Sequence, residues 1–207
     1  MEEITSDAAL TEVLGGAPSA AAAGKDRSTL HELDRAFLAA SPFCLISTSA
    51  GDATCDVSPK GDPPGFAIAV DDRTIAIPER SGNRRADGYR NVLSNPHVGL
   101  IFLVPGRGDT PRINGRARLV RDAPFFDDMV VRGHRPVLAL VVEVEQVFFH
   151  CSKAFLRSAL WDPSTWGQVD LPSRAVIART LERPDTSLEE LETYYGPAYA
   201  EGLYPST

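Results

Sequence analysis

The sequence predicts a mainly β protein with α additions, an antiparallel barrel rather than a helix bundle or a doubly wound sheet. Three observations carry this prediction. Six or more short apolar stretches recur at hairpin spacing between residues 43 and 150. Glycine and proline number 16 each among 207 residues, enough to supply the turns that short elements need. No strand–helix–strand alternation runs along the chain and no G-x-G-x-x-G follows a strand, which disfavours a Rossmann dinucleotide domain.

The elements follow in order. A short helix over 8–14 and the connector GGAPSAAAAGKD (15–26) read together as an arm, residues 1–27. A helix then opens at Ser28 as N-cap, with Leu30, Leu33, Ala36, Phe37 and Ala40 on one face, and Pro42 stops it. Strands over 43–49 and 53–58 form a hairpin about Gly51-Asp52, and the following SPKGDPPG is too rich in proline and glycine to be regular. Residues 66–70 and 74–77 pair around Asp71-Asp72-Arg73. A helix over 84–94 is weakened by Gly88, and 98–104 is a continuous apolar run, the mark of a central strand. Residues 112–120 alternate, with Gly115 marking a bulge or a close backbone approach. A helix over 123–132, a long strand over 137–145 running into 147–150, a helix over 151–161 and short acidic helices over 173–204 complete the chain. The main domain is therefore 28–162, and 163–207 is a helical extension packed on the barrel or on a partner subunit.

Charge narrows the function. The formal net charge of −7 argues against a surface that tracks nucleic acid or an anionic membrane. No apolar run reaches the roughly 18–20 residues of a membrane span. The acidic start MEEITSD lacks the positive charge of a secretory signal, so a cytoplasmic location is expected. Three cysteines without a C-x-x-C make neither a disulfide framework nor a zinc knuckle. The charge is also uneven. Residues 80–121 hold nine arginines and two acids, Asp87 and Asp109, so this block is +7 and the remaining chain is −14. Such a block fits a local site for a small anion, and equally a solvated charged face. It contains only Tyr89 and Phe102 as aromatics, which disfavours single-stranded nucleic acid.

Four segments carry candidate chemistry. In Ser58-Pro-Lys-Gly-Asp-Pro-Pro-Gly-Phe, Lys60 stands on a stiff backbone able to approach a flat ligand; the same pattern fits a surface loop. In Pro78-Glu-Arg-Ser-Gly-Asn-Arg-Arg, Asn83 is a candidate N-cap with Arg84 and Arg85 in the first turn, where free N–H groups and the helix dipole favour a phosphate. In Asp109-Thr-Pro-Arg-Ile-Asn-Gly-Arg-Ala-Arg, alternation puts Arg112, Asn114, Arg116 and Arg118 on one face; Thr110 and Arg112 are the better ligand candidates, and Arg107-Gly108-Asp109 is turn chemistry. In the fourth, FFHCSKAFLRSALW, Lys153 and Arg157 share a helix face. His150 and Cys151 there read better as a hydrogen-bonded histidine and a buried thiol than as a metal or nucleophile pair.

Taken together, SPF (41–43), SPKGDPPGF (58–66), IPERSGNRR (77–85), NPHVGLIFLVPG (95–106), TPRINGRARL (110–119) and FFHCSKAFLRSALW (148–161) resemble the pyridoxamine 5′-phosphate oxidase-like FMN-binding split-barrel superfamily, in particular its subgroup of FMN-dependent enzymes. The likeness runs from about residue 5 to the closing GLY (202–204). It implies a six-stranded antiparallel split β-barrel, a homodimer, and FMN in clefts between subunits. It implies phosphate contacts from Asn83, Arg84 and Arg85 beyond Ile77 and Pro78, ring contacts from Ser58 and Lys60, and ring or ribitol contacts from Thr110 and Arg112. Lys153 and Arg157 match basic positions that face the flavin from one subunit or the other. Lys60 stands where the subgroup has arginine, Glu79-Arg-Ser-Gly where it has Asp-Arg-Pro-Gly, and Pro111 where it has leucine. The tryptophan-and-arginine C-terminal signature of true pyridoxamine phosphate oxidases is missing, so the likeness does not extend to that activity.

The expected function is that of an FMN-dependent oxidoreductase acting on a small organic substrate, with no metal and no protein nucleophile because the flavin carries the chemistry. The alternative is a binding module of the same fold that holds flavin, deazaflavin or haem without turnover. Neither nucleic acid nor membrane is expected as a partner.

Overall fold

The computed structural model describes residues 1–167 and 170–204. Helix α1 (Asp7–Val13) and the four-residue α2 (Ala20–Ala23) bury no side chain. Beyond them the chain docks. Arg27 exchanges backbone hydrogen bonds of 3.1 and 2.7 Å with Val147, and Lys25 donates to the Phe149 carbonyl at 3.0 Å.

Helix α3 (Glu32–Ala40) is capped by His31, not Ser28, through a capping box in which the Asp34 carboxylate accepts from the His31 backbone N–H at 2.7 Å. Its buried face is also not the expected one. Asp34, Phe37 and Leu38 face inward, with Leu30 just ahead of them, while Leu33, Ala36 and Ala40 are exposed. An aspartate on a core face looks polar in sequence. It is tolerated because the Arg27 guanidinium clasps both its oxygens.

Seven strands form one antiparallel sheet: β1 (Phe43–Ser49), β2 (Cys55–Gly61), β3 (Ile68–Ala69), β4 (Thr74–Pro78), β5 (His97–Leu103), β6 (Thr110–Val120) and β7 (Ala139–His150). The spatial order is β2-β1-β5-β6-β7-β4-β3, so β2 and β3 are edges and the sheet does not close through backbone hydrogen bonds. The family resemblance implied six strands, whereas the seven runs read from the residues are all present, with 66–70 shortened to the two-residue β3. Sequence reasoning left SPKG irregular, yet β2 runs through it to Gly61, with Pro59 opposite Leu45. An edge strand tolerates a proline because one side of it needs no donor. Pro111 likewise lies within β6, where β5 has already stopped pairing at Arg112.

The irregularity expected at Gly115 is present as a register shift between Asn114 and Gly115, with the extra residue, Glu145, on the facing strand β7. Alternation then holds along β6, with Ile113, Gly115 and Ala117 inward. The core joins the inner sheet face to α3 and to helix α4 (Asp87–Ser94), around Phe102, Leu100, Ile75, Ile113 and Leu140. The expected helix over 123–132 is a 3-10 turn, Pro124–Met129, covering a second small cluster around Phe126. Helix α5 (Lys153–Ser158) follows β7. The extension folds as α6 (Arg174–Leu181), α7 (Leu188–Tyr194) and α8 (Ala198–Glu201), with a core of its own from Ala175, Ala178 and Leu191. Within the expected 163–207 span, residues 168–169 and 205–207 lie outside the described ones. Among the described residues no helix is long and apolar enough to cross a membrane.

Candidate functional site

The sheet leaves a gap between its β2 edge and the end of β4, and side chains bridge that gap. Along β2 the residues alternate, so Asp56, Ser58 and Lys60 turn inward. Across the gap, the segment after β4 presents Glu79 and Arg80. Lys60 pairs with Glu79, and Arg80 pairs with Asp62, whose side chain is fully buried. Arg80 also donates to the Met129 carbonyl at 2.6 Å and the His134 carbonyl at 3.1 Å. Tyr89 of α4 donates its hydroxyl to the same Glu79 oxygen that Lys60 holds. Burial first, then the Glu79 carboxylate, pushes the Tyr89 phenol far above its ordinary range, so it stays a proton donor. Beneath them the Cys44 thiol is pushed up to about 12 by burial, against an opposing pull from Lys60, so it is an inert packing group.

Over this bridge opens a cavity of about 600 Å3, lined by Ser58, Lys60, Pro78, Asn83, Arg84 and Arg85 among others. The volume falls within the roughly 300–1,000 Å3 of small-molecule sites. The 79–87 segment reaches it by a route other than the expected one. Helix α4 begins at Asp87, with Ala86 as a cap that makes no side-chain bond, so Arg84 and Arg85 precede the helix instead of occupying its first turn. Asn83 does not cap the helix; its side-chain oxygen accepts from the Arg85 N–H at 2.9 Å and closes a local turn. Gly88 lets α4 approach β1 and β2, since a Cβ there would stand 3.3 Å from the Thr48 hydroxyl and 3.6 Å from that of Ser58.

The cations of this segment are not equivalent. Arg80 is held by Asp62 and Arg85 by Asp87. Arg84 has no ion-pair or hydrogen-bond partner among the described residues, and its backbone sits in the left-handed region at φ 59°. Such a conformation in a non-glycine residue costs on the order of 1–2 kcal/mol.

Of the residues singled out in the sequence, the structure brings Ser58, Lys60, Pro78, Asn83, Arg84 and Arg85 to the cavity. Ile77 stays in the sheet core with its side chain fully buried. Thr110, Arg112, Lys153 and Arg157 lie elsewhere, off this cavity. Thr110 is buried at the start of β6 opposite His150. The Arg112 guanidinium lies 4.1 Å over the Phe148 ring and donates to Gln146 at 3.2 Å, while its buried Nε has no partner among the described residues. Lys25 caps the same ring at 4.4 Å. Partial burial, then Arg112 and Lys25, hold His150 below the ordinary histidine range. Lys153 and Arg157 are exposed on α5. Cys151 is exposed too, contrary to the buried thiol expected. Among the described residues no cluster of three or more His, Cys, Asp or Glu is placed to hold a metal.

Sequence reasoning missed Asp62, Glu79, Arg80 and Tyr89 as site residues. The signal was present for two of them: each acid lies inside a motif already singled out, Asp62 two residues after Lys60 and Glu79 directly after Pro78. Their pairing was invisible, because it joins segments 18 and 19 residues apart on opposite sides of the gap.

A family model described as pyridoxamine 5′-phosphate oxidase matches residues 30–151. Among solved structures, the chain is similar to HupZ of Group A Streptococcus, with 15% identity over 58% of this chain and 93% of that one and a TM-score of 0.47. It is also similar to an FMN-binding protein from Syntrophomonas wolfei (12%, 58% and 90%, TM-score 0.42) and to HutZ, the haem storage protein of Vibrio cholerae (12%, 58% and 93%, TM-score 0.42). No curated protein matches the chain significantly.

Proposed function

Because the chain belongs to the pyridoxamine 5′-phosphate oxidase family, we propose that it is an FMN-binding flavoprotein, an oxidoreductase for a small organic substrate. One observation carries this reading: Arg84, unpaired and in a strained backbone conformation, stands at a cavity of about 600 Å3 beside Lys60, Asn83 and Arg85. Strain of this kind persists where the surroundings hold a residue for a ligand, and an unpaired guanidinium suits a phosphate dianion through two-pronged hydrogen bonds. FMN has that phosphate, a polar ribitol and a flat ring, and when bound it supplies the redox chemistry. The protein's own residues hold and orient it. Arg84 and Arg85 take the phosphate, Asn83 fixes the turn that aims them, and Lys60 stays on the β2 side of the gap through Glu79 and Tyr89.

Thr110, Arg112, Lys153 and Arg157 lie off the cavity of one chain, and a homodimer with FMN between its subunits gives these four residues a place in the site. Sedimentation of the FMN-loaded protein checks the dimer; a monomer removes these four residues from the assignment.

The purified protein is expected to be yellow, or to become so on addition of FMN. Arg84→Gly relieves the positive φ and removes the guanidinium. It is expected to weaken FMN binding about 10- to 100-fold while leaving thermal stability unchanged or raised. Flavin fluorescence titration with a melting curve reads both. Unaltered FMN affinity in this variant, or a wild type that takes up no flavin, overturns the reading.

A further inference from the structure

A second concavity adjoins the first through the same loop. It has a volume of about 560 Å3, and Ser81, Gly82 and Asn83 form one side of it. The C-terminal extension forms the other, with Tyr194 of α7, Tyr199 of α8 and Leu203. The extension is pinned beside this site. Tyr204 donates its hydroxyl to Asp62, the buried acid that also holds Arg80, and its ring lies 5.7 Å from the His134 ring and 5.3 Å from the Arg132 guanidinium.

The two concavities differ in chemistry. The first is lined by four cations, Lys60, Arg80, Arg84 and Arg85, and by four acids, Asp56, Asp62, Glu79 and Asp87. Among the described residues lining the second, none carries a charge. Its apolar content is aromatic. Tyr194 and Tyr199 stand 5.5 Å apart at 61° and remain 53% and 51% exposed, so each offers ring surface that the fold has not used. Tyr195 packs against both, at 4.9 and 5.4 Å. Arg183 lies 5.1 Å over the Tyr194 ring, so a ligand cation would meet an arginine already there. Backbone N–H and C=O groups and the side-chain amide along Ser81–Asn83 give the opposite wall polar contacts.

We propose that this groove is a binding subsite for an uncharged, flat aromatic ring with polar groups on its edge, and that the C-terminal extension thereby determines the substrate class. The ring packs face-on against one of Tyr194 and Tyr199 and edge-on against the other, where aromatic pairs gain beyond area burial alone, and its edge meets the Ser81–Asn83 backbone. Continuity through Gly82 and Asn83 places the ring next to whatever the Arg84 cavity holds. That the ligand is a substrate rests on the flavin reading; the groove's ligand chemistry does not. The family match ends at residue 151, so the groove is built largely from a part of the chain outside it.

The test uses the full-length protein with and without FMN. 2-Naphthol is the probe and cyclohexanol the non-aromatic control, both followed by saturation-transfer NMR. The expected result is 2-naphthol binding without comparable cyclohexanol binding. It should weaken at least tenfold in the Tyr194→Ala, Tyr199→Ala double variant and be retained in Tyr194→Phe, Tyr199→Phe. FMN affinity should be the same in all three proteins. Equal binding of cyclohexanol, no binding of 2-naphthol, or naphthol binding indifferent to the alanine pair overturns the proposal. So does a loss of FMN affinity in the alanine pair with the melting temperature preserved, because the groove would then be holding the flavin ring. A melting curve identifies an alanine pair that fails to fold, and Tyr199→Leu, which keeps bulk without a ring face, then takes its place with the same two outcomes. A protein that binds no FMN yet loses naphthol through these tyrosines sinks the flavin reading and keeps this one.

Discussion

Arg27→Ala is expected to destabilise the fold by about 3 kcal/mol, the lower end of what breaking a buried ion pair costs when one partner is left behind. The Asp34 side chain is 1% exposed and accepts both Arg27 and the His31 backbone N–H, whereas the Arg27 side chain is 37% exposed. Burial by itself raises the Asp34 carboxyl. Arg27 and the His31 N–H outweigh burial and hold it below the ordinary aspartate range. A carboxylate with a depressed folded pKa stabilises the protein above its unfolded value, and that stabilisation is lost as the pH falls through the folded value. In the variant only burial and the cap remain, so the carboxyl rises. The stability gap between wild type and variant should therefore be full near neutrality and narrow as the pH approaches roughly 4. Urea melts at a series of pH values measure it. A gap that is constant with pH, or below about 0.5 kcal/mol at pH 7, contradicts the role given to this pair.

Gly115→Ala is expected to cost about 3 kcal/mol or more and to lower the melting temperature by roughly 10 °C. A Cβ at Gly115 would stand 2.0 Å from the Glu143 carbonyl oxygen and 3.0 Å from Val142 Cγ1. Backbone cannot swing aside as a long side chain does. The strain falls on the β6–β7 pairing, the most extensive in the sheet, where the bulge already interrupts the register. Gly106→Ala is a useful contrast: its φ is +83°, yet nothing lies within 4 Å, so it should lose only the backbone preference, about 1 kcal/mol. Equal losses in the two variants would show that the close approach at Gly115 is not what matters there.

Much of the sheet is legible in the sequence. The run 43–49 became β1 with the same bounds, and the glycine in RINGRARLV marked the bulge, because alternation and glycine are local signals. The errors are local rules overridden by neighbours. Pro59 reads as a breaker but lies on an edge. Leu33 reads as core, yet Asp34 took its place because Arg27 arrives to neutralise it. Ser28 reads as a cap, but residues 27–30 are held against β7 and the Asp72 carbonyl, so the helix starts later.

At the site the division is similar. Composition and motif spacing located the basic block and named Lys60, Asn83, Arg84 and Arg85. They did not reveal that Glu79 pairs with Lys60, Asp62 with Arg80 and Asp87 with Arg85, so that among the described residues Arg84 is the cation of this cavity left without a partner. Nor did they reveal that the acidic C-terminal stretch brings Tyr194 and Tyr199 beside Asn83. By itself the sequence determined the strands, the bulge and the family, since these follow from side-chain period, backbone permissiveness and short motifs. Only the tertiary structure decided which charges remain free and which rings face a cavity, because electrostatic pairing and exposure depend on distances between segments far apart along the chain.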